Sequence, residues 1–460
     1  MPLYGNHLVA STLDPKTGCD TTEPAATLGD VLTELHLHFH GCIRPLALLD
    51  HLARAKYALW DWYEAEMATA YGAVPATRQV VERYRHGDQS ATVEFEELFV
   101  FGEADAGTFA RFQAKANLLW IAARPDDHTK PWSDTDDEVA RFAEGIRTSH
   151  RQQGVGYAEF RVSADMVAAA HRGGTEGLVE RFAISLPRKD PWPEWQRVQE
   201  LALGPYGSSV TGVDFCANEE GHPPKEKAAF FAAVHDFNAA HPERALAILY
   251  HVGESFGDKS LESAVRWVDE AAELGAHRLG HAIALGVDPG LFGTRTRVEP
   301  VAERRDQIAY DLRHHDGLRA AGIHVDPLAL REELARLDAL PSDAPITVEY
   351  DHARLDEVRR RQEYAIARVR STGAVIEVCP TSNRRIAGLT DPAHHPIHRF
   401  LSAGLPVVVS SDDPGIFGTT LADELAWVCE HTGGDEDLRR TLLETAWQSR
   451  SEVLTGRETP

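Results

Sequence analysis

Cysteine is scarce in this chain. Five residues in 460, at positions 19, 42, 216, 379 and 429, share no paired short spacing. A disulfide framework is therefore excluded, and an odd, scattered set reads as free thiols in a reducing compartment. Cys42, Cys216 and Cys379 fall in segments where strands end and read as small buried fillers. Positive charge is also in deficit: 47 Lys and Arg stand against 71 Asp and Glu, a net charge of −24. That balance favours solubility and argues against an extended nucleic-acid footprint. No apolar run approaches the roughly 18 residues that a membrane helix needs. The opening MPLYGNHLVASTLDPKTG has neither a basic start followed by an apolar core nor an Arg-rich amphipathic pattern. The expectation is a cytoplasmic protein without nucleic-acid or membrane partners.

What is present is a set of metal-ligand residue types, each where a buried strand should end. In Glu34 to Gly41 (ELHLHFHG) the alternation of a strand sends His36 and His38 to one face. His251 follows the apolar run from Ala245 to Tyr250 and precedes Gly253 and Glu254. The β-branched run from Pro406 ends in the adjacent carboxylates Asp412 and Asp413, which are costly to bury unless a cation or a shared proton compensates them. Imidazole and carboxylate together suit zinc.

These segments carry a resemblance. ELHLHFHG, YAEFR (Tyr157 to Arg161), GVDFCANE (Gly212 to Glu219), HVGE (His251 to Glu254), RLGH (Arg278 to His281), EVCPTSN (Glu377 to Asn383) and SDDP (Ser411 to Pro414) are similar, in content and order, to the motifs of the adenosine deaminase family of metal-dependent amidohydrolases. The resemblance implies an α/β fold, a (β/α)8 TIM barrel. Such a barrel needs about 250 residues, so roughly 200 remain for extra helices and decoration.

Read for organisation, residues 1–30 form a polar N-terminal arm and 31–460 a deaminase-like barrel domain. Apolar segments at Leu32 to Phe39, Val155 to Phe160, Gly212 to Cys216, Ala245 to Tyr250, Arg278 to Leu285, Ala374 to Val378 and Pro406 to Ser410 read as strands with helices between them. Ala183 to Pro205, rich in Pro and Trp, reads as an excursion outside the barrel. Between the RLGH and EVCPTSN segments the chain is longer than one family crossover requires, which predicts an insertion at about 294–352. Helical patterns lie at Pro327 to Leu340 and Leu355 to Val369. The insertion is expected to form a lid or an assembly surface, with a homo-oligomer as one outcome. Phe109 and Phe112, at i and i+3, are candidates for a helix roofing the pocket, as in the family.

By resemblance, His36, His38, His251 and Asp412 hold one Zn2+ per chain. Glu254 protonates ring N1, His281 orients the attacking water and accepts its proton, and Asp413 contacts N7. Glu159 and Arg161 alternate onto one strand face and are expected to pair with each other; Thr381, Ser382 and Asn383 are expected to shape a loop. The substrate-contact positions depart from the family. His40 stands where adenosine-specific members have aspartate, and Ala217 with Asn218 replaces a Gly-Asp pair. His40 suggests a substrate carrying a phosphate or another 5′ group. The expected partner is thus a small-molecule aminopurine, adenosine or a 5′-substituted adenosine, deaminated hydrolytically. Another metal-dependent amidohydrolase activity on the same barrel, and a binding or assembly protein with vestigial catalysis, are the alternatives.

Overall fold

The computed structural model describes residues 31–172, 177–216, 218–255 and 257–459. The expected N-terminal arm and Ala217 lie outside the described residues. Eight parallel strands form one sheet in the order β1 (Leu32–His38), β2 (Val155–Val162), β3 (Val179–Ser185), β4 (Val210–Phe215), β5 (Ala247–Val252), β6 (Arg278–His281), β7 (Val375–Val378) and β8 (Val407–Val409). Closure between the last strand and the first runs through Asp412, whose N–H donates to His36 O and whose carbonyl accepts from His38 N, each at 3.1 Å. The result is the expected (β/α)8 barrel. Its strands are buried on both faces, by helices outside and by side chains within, which is why they read as apolar runs rather than alternations.

Strand β3 corrects the sequence reading, in which no strand is assigned at Val179 to Phe182 and the chain from Ala183 onward is an excursion; the helix Trp192–Leu203 follows the strand. The charges in VERFAIS hide the strand. Glu180 faces Arg147 Nη1 at 3.1 Å and Arg181 faces Glu452 Oε1 at 2.8 Å, partners that the local sequence does not display.

Helix α1 (Phe109–Ala116) starts at Thr108, whose side chain accepts from Arg111 N. It lies over the carboxyl ends of the strands, where barrel sites are built. After β5 comes helix α2 (Leu261–Glu273), and after β6 an antiparallel pair, Arg295–Pro300 with Pro345–Tyr350, brackets an excursion. Within it, α3 (Val301–Arg313) and α4 (Pro327–Leu337) share a small core of Val301, Ile308 and Leu337, flanked by Leu330 and Leu334. The chain then returns through α5 (His352–Thr372). Ion pairs tie this unit to α2 and α5, Arg266 to Glu303 at 2.6 Å and Arg361 to Asp311 at 2.7 Å, and Arg354 to Glu262 at 2.6 Å joins α5 to α2.

Candidate active site

The strand alternation of ELHLHFHG brings His36 and His38 to the same end of the barrel, where His251, His281 and Asp412 converge. His36 and His251 are oriented alike. His36 Nδ1 lies 2.7 Å from Glu377 Oε2, and His251 Nδ1 lies 3.0 Å from Asp214 Oδ1. Each buried carboxylate accepts the Nδ1 proton and leaves the Nε2 lone pair facing inward, an arrangement typical of metal-binding histidines. Asp412 Oδ1 is 3.4 Å from His36 Nε2 and 3.2 Å from His38 Nε2, and His251 Nε2 is 3.3 Å from His38 Nε2.

Whether this cluster fits a cation can be judged from its own polar atoms. His36 Nε2 and Asp412 Oδ1 are buried without a hydrogen-bond partner. Leaving such atoms unsatisfied costs about 1–3 kcal/mol each, a penalty that a divalent ion removes. His36, His38, His251 and Asp412 therefore fit a metal. Cys379 also falls within reach of His281 and Asp412. Burial, followed by the Asp412 and Glu377 charges, pushes its thiol well above the usual range, which disfavours the thiolate form that ligation requires.

Backbone strain is concentrated here. His281 and Asp412 both have φ of 63°, and Ala282 has 48°. For non-glycine residues this region costs about 1–3 kcal/mol unless the surroundings enforce it. Asp412 is enforced by its two bonds to β1, and by the preceding Ser411, whose N–H and hydroxyl both donate to buried Glu34, at 2.6 and 2.9 Å. His281 is enforced by Asn383, whose Nδ2 donates to His281 Nδ1 at 2.8 Å. Asn383 Oδ1 accepts from Cys379 N at 3.3 Å, which fixes the orientation of the amide. Neutral His281 therefore carries its proton on Nε2.

Glu254 lies in the loop after β5. The buried carboxylate of Glu219 accepts from the N–H groups of Gly253, Glu254 and Ser255 at 3.0, 2.8 and 2.7 Å, holding that loop in place. Burial first, then the charges of Asp412 and Glu219, pushes the Glu254 carboxyl up to about 8. Its Oε1 is 3.7 Å from His281 Nε2. Burial and then Asp412 likewise push Asp413 up to about 7. Glycine at position 41 permits this arrangement, since a Cβ there would fall 1.5 Å from Asp413 Oδ1. At Gly280, similarly, a Cβ would stand 3.1 Å from His251 Cγ and 3.2 Å from His36 Cε1, so RLGH needs its glycine to admit the two rings.

A cavity of about 340 Å3 holds the site; Phe109, Phe112, His40, Glu254, His281 and Asp413 line it together with His38, His251 and Asp412. Phe112 stacks on Phe417 with centroids 5.4 Å apart. Two expectations are corrected. Glu159 and Arg161 do not pair with each other: Glu159 bonds Arg278 at 2.6 Å, and Arg161 bonds Asp214 at 2.8 Å and Glu377 at 2.7 Å. Inside the barrel each charge is closer to neighbouring strands than to its own i+2 residue. Thr381 to Asn383 lie not in a loop but in the helix Pro380–Ile386, which carries Asn383 to His281. Sequence reasoning misses Glu34, Asp214, Glu219, Glu377 and Asn383 as site residues. The available signal for the four acids is a charged residue inside a motif segment, and for Asn383 there is none beyond the motif.

A family profile described as adenosine deaminase matches residues 332–450. The chain is 35% identical over 154 residues to adenine deaminase from Agrobacterium fabrum, covering 32% of this chain and 45% of that protein. It is 28% identical over 259 residues to aminodeoxyfutalosine deaminase from Streptomyces coelicolor, covering 55% and 59%. The chain thus spans about half the length of these curated relatives. An amidohydrolase from Burkholderia ambifaria, solved with bound Zn, shares the fold with a TM-score of 0.52 at 16% identity, over 91% of this chain and 85% of that one. In motif order, barrel and profile match the chain is similar to the adenosine-deaminase-like amidohydrolases.

Proposed function

We propose that the chain hydrolytically deaminates an aminopurine nucleoside, adenosine or a 5′-substituted adenosine, to the oxopurine and ammonia, using one Zn2+ per chain. One observation carries this reading: the unpartnered ligand atom Asp412 Oδ1, with unpartnered His36 Nε2 3.4 Å behind it, borders the same cavity as Glu254, a carboxyl that its surroundings keep protonated at neutral pH. His36, His38, His251 and Asp412 would hold the ion, which supplies the Lewis acidity that makes water a nucleophile near pH 7.

The remaining work falls to the chain's own residues. Glu254 gives its proton to ring N1, drawing electron density away from C6. Asp413, pushed up to about 7 and so protonated in about half the molecules at neutral pH, donates to N7 in that form. His281, as the Nε2–H tautomer, donates to the oxygen that attacks C6 and so orients it; in this form it has no free lone pair for a proton, and the carboxyls take over that task. The C6–O bond forms and the C6–N bond breaks. Water supplies both hydrogens: one is delivered to N1 by way of the Glu254 carboxyl, which regains its acid form, and the other leaves with ammonia. Phe109 and Phe112 cover the cavity and exclude bulk water.

A cytoplasmic location is part of the proposal. Cys42, Cys216, Cys379 and Cys429 are free thiols, and no helix among the described residues is long and apolar enough to cross a membrane.

The test is ammonia release, with the accompanying ultraviolet shift, from zinc-loaded protein and a panel of aminopurines. Release that falls by about 100-fold or more in Glu254→Gln, with zinc retained, is expected. Absence of any shift across the panel despite bound zinc would refute the reading.

A further inference from the structure

The excursion after β6 touches the loop that carries Glu254. Arg297, on the first strand of the inserted hairpin, donates from Nη2 to Gly257 O at 3.0 Å. Gly257 follows Glu254 closely in the chain between β5 and α2. That stretch has no helix or strand of its own and opens at Gly253 with φ of 71°, so its course is set by side chains that reach it from outside. Its other ties come from the segment after β4. Glu219 holds the N–H groups of Gly253, Glu254 and Ser255, Glu220 Oε1 accepts from Ser255 Oγ at 2.5 Å, and Asp258 Oδ2 accepts from Gly221 N at 2.6 Å. The approach is so close that a Cβ at Gly257 would stand 2.3 Å from Glu220 Oε1. The same segment also reaches the excursion, where Lys225 pairs with Asp306 of α3. Two loops at the carboxyl end of the barrel and the inserted unit thus form a closed circuit of contacts around the acid.

The excursion is seated rather than hinged. Every residue of α2 from Leu261 to Ala272 is buried, and these include the charged Glu262, Arg266, Asp269 and Glu270. Helix α3 supplies partners for two of them. Arg266 bonds Glu303 Oε2 at 2.6 Å and Gln307 Oε1 at 3.2 Å, and Tyr310 donates to Asp269 Oδ2 at 2.6 Å. Lifting α3 would strand these buried charges, which opposes a lid-like motion. The acid loop ends where α2 begins, at Ser260, whose side chain accepts from Ser263 N at 3.1 Å. A fixed helix therefore holds one end of the loop while Arg297 holds its middle. Proton transfer to a ring nitrogen requires the acid within hydrogen-bond reach, and small displacements are costly to rate.

Resting on the deaminase reading, we infer that the excursion is a positioning element for the catalytic acid and that Arg297 is its positioning residue, acting through Gly257 O to fix the loop from which Glu254 reaches the purine. The insertion expected from the sequence as a lid is then a fixed brace.

The test pairs steady-state deamination of adenosine by the zinc-loaded full chain with amide hydrogen exchange over residues 253–258. Arg297→Met removes the donor and keeps the apolar stem. It is expected to lower kcat about tenfold with KM within about twofold and zinc content unchanged, and to speed exchange in that loop about tenfold. Arg297→Lys, which retains a donor, is expected to recover most of the kcat. Leu328→Ser, on the excursion but 71% exposed, is expected to leave kcat and exchange unchanged. Normal kcat and exchange in Arg297→Met overturn the inference and leave deamination standing, as does an equal loss in Leu328→Ser. No ammonia from the unaltered protein overturns the deaminase reading instead, and the exchange comparison still decides whether Arg297 holds the loop.

Discussion

Asn383 Nδ2 donates to His281 Nδ1 across 2.8 Å, and the orientation of that amide is set by a backbone N–H. The proton of neutral His281 is thereby confined to Nε2, the nitrogen nearest Glu254. Asn383→Asp replaces the donor by an acceptor and favours the opposite tautomer. The expected result is a loss on the order of 100-fold in kcat with KM little changed, together with an altered imidazole 15N signature for His281. An Asp variant with normal kcat would show that the tautomer is immaterial.

Glu377 accepts from three side chains at once: His36 Nδ1 at 2.7 Å, Arg161 Nη2 at 2.7 Å and Arg278 Nε at 2.6 Å, all fully buried. Glu377→Gln removes the charge that orients His36 and leaves two guanidiniums undercompensated. Zinc affinity is expected to fall about 10- to 100-fold by competition with a chromophoric chelator. Stability should fall by about 3–5 kcal/mol in denaturant unfolding.

Glu424 is buried against Thr381 N at 3.0 Å and Thr419 Oγ1 at 2.7 Å. Burial outweighs those hydrogen bonds and pushes its carboxyl from 4.5 up to about 7. Between these values the folded state holds a proton that the unfolded state has released. Its contribution to stability is therefore complete below about pH 4.5, declines by about 3 kcal/mol as pH rises to about 7, and is constant beyond. Glu424→Gln should flatten that decline. Thermal midpoints of the two proteins at pH 5 and pH 8 measure it; parallel slopes would contradict it.

Strand alternation and position are enough to nominate His36, His38, His251 and Asp412, because a metal site asks for particular residue types at strand ends and both properties are local. The partners of those residues are not legible. Asp214 and Glu377 lie in motif segments, yet the histidine each one holds is far away in the chain. The charges of β3 conceal a strand for the same reason: a buried Glu180 is acceptable only because Arg147 reaches it from another element.

By itself, then, the sequence determined the strand runs and the ligand residue types, which depend on patterns within a few residues, and through its resemblance to the deaminase motifs it implied the parallel barrel and Glu254 as an acid candidate. Tertiary structure alone decided the tautomer of His281, the left-handed backbone at His281 and Asp412, the cross-strand pairing of Glu159 and Arg161, and the contact of Arg297 with the loop that carries Glu254. These depend on distances between strands that meet only when the sheet closes, and on the electrostatics of groups that share a cavity but no stretch of chain.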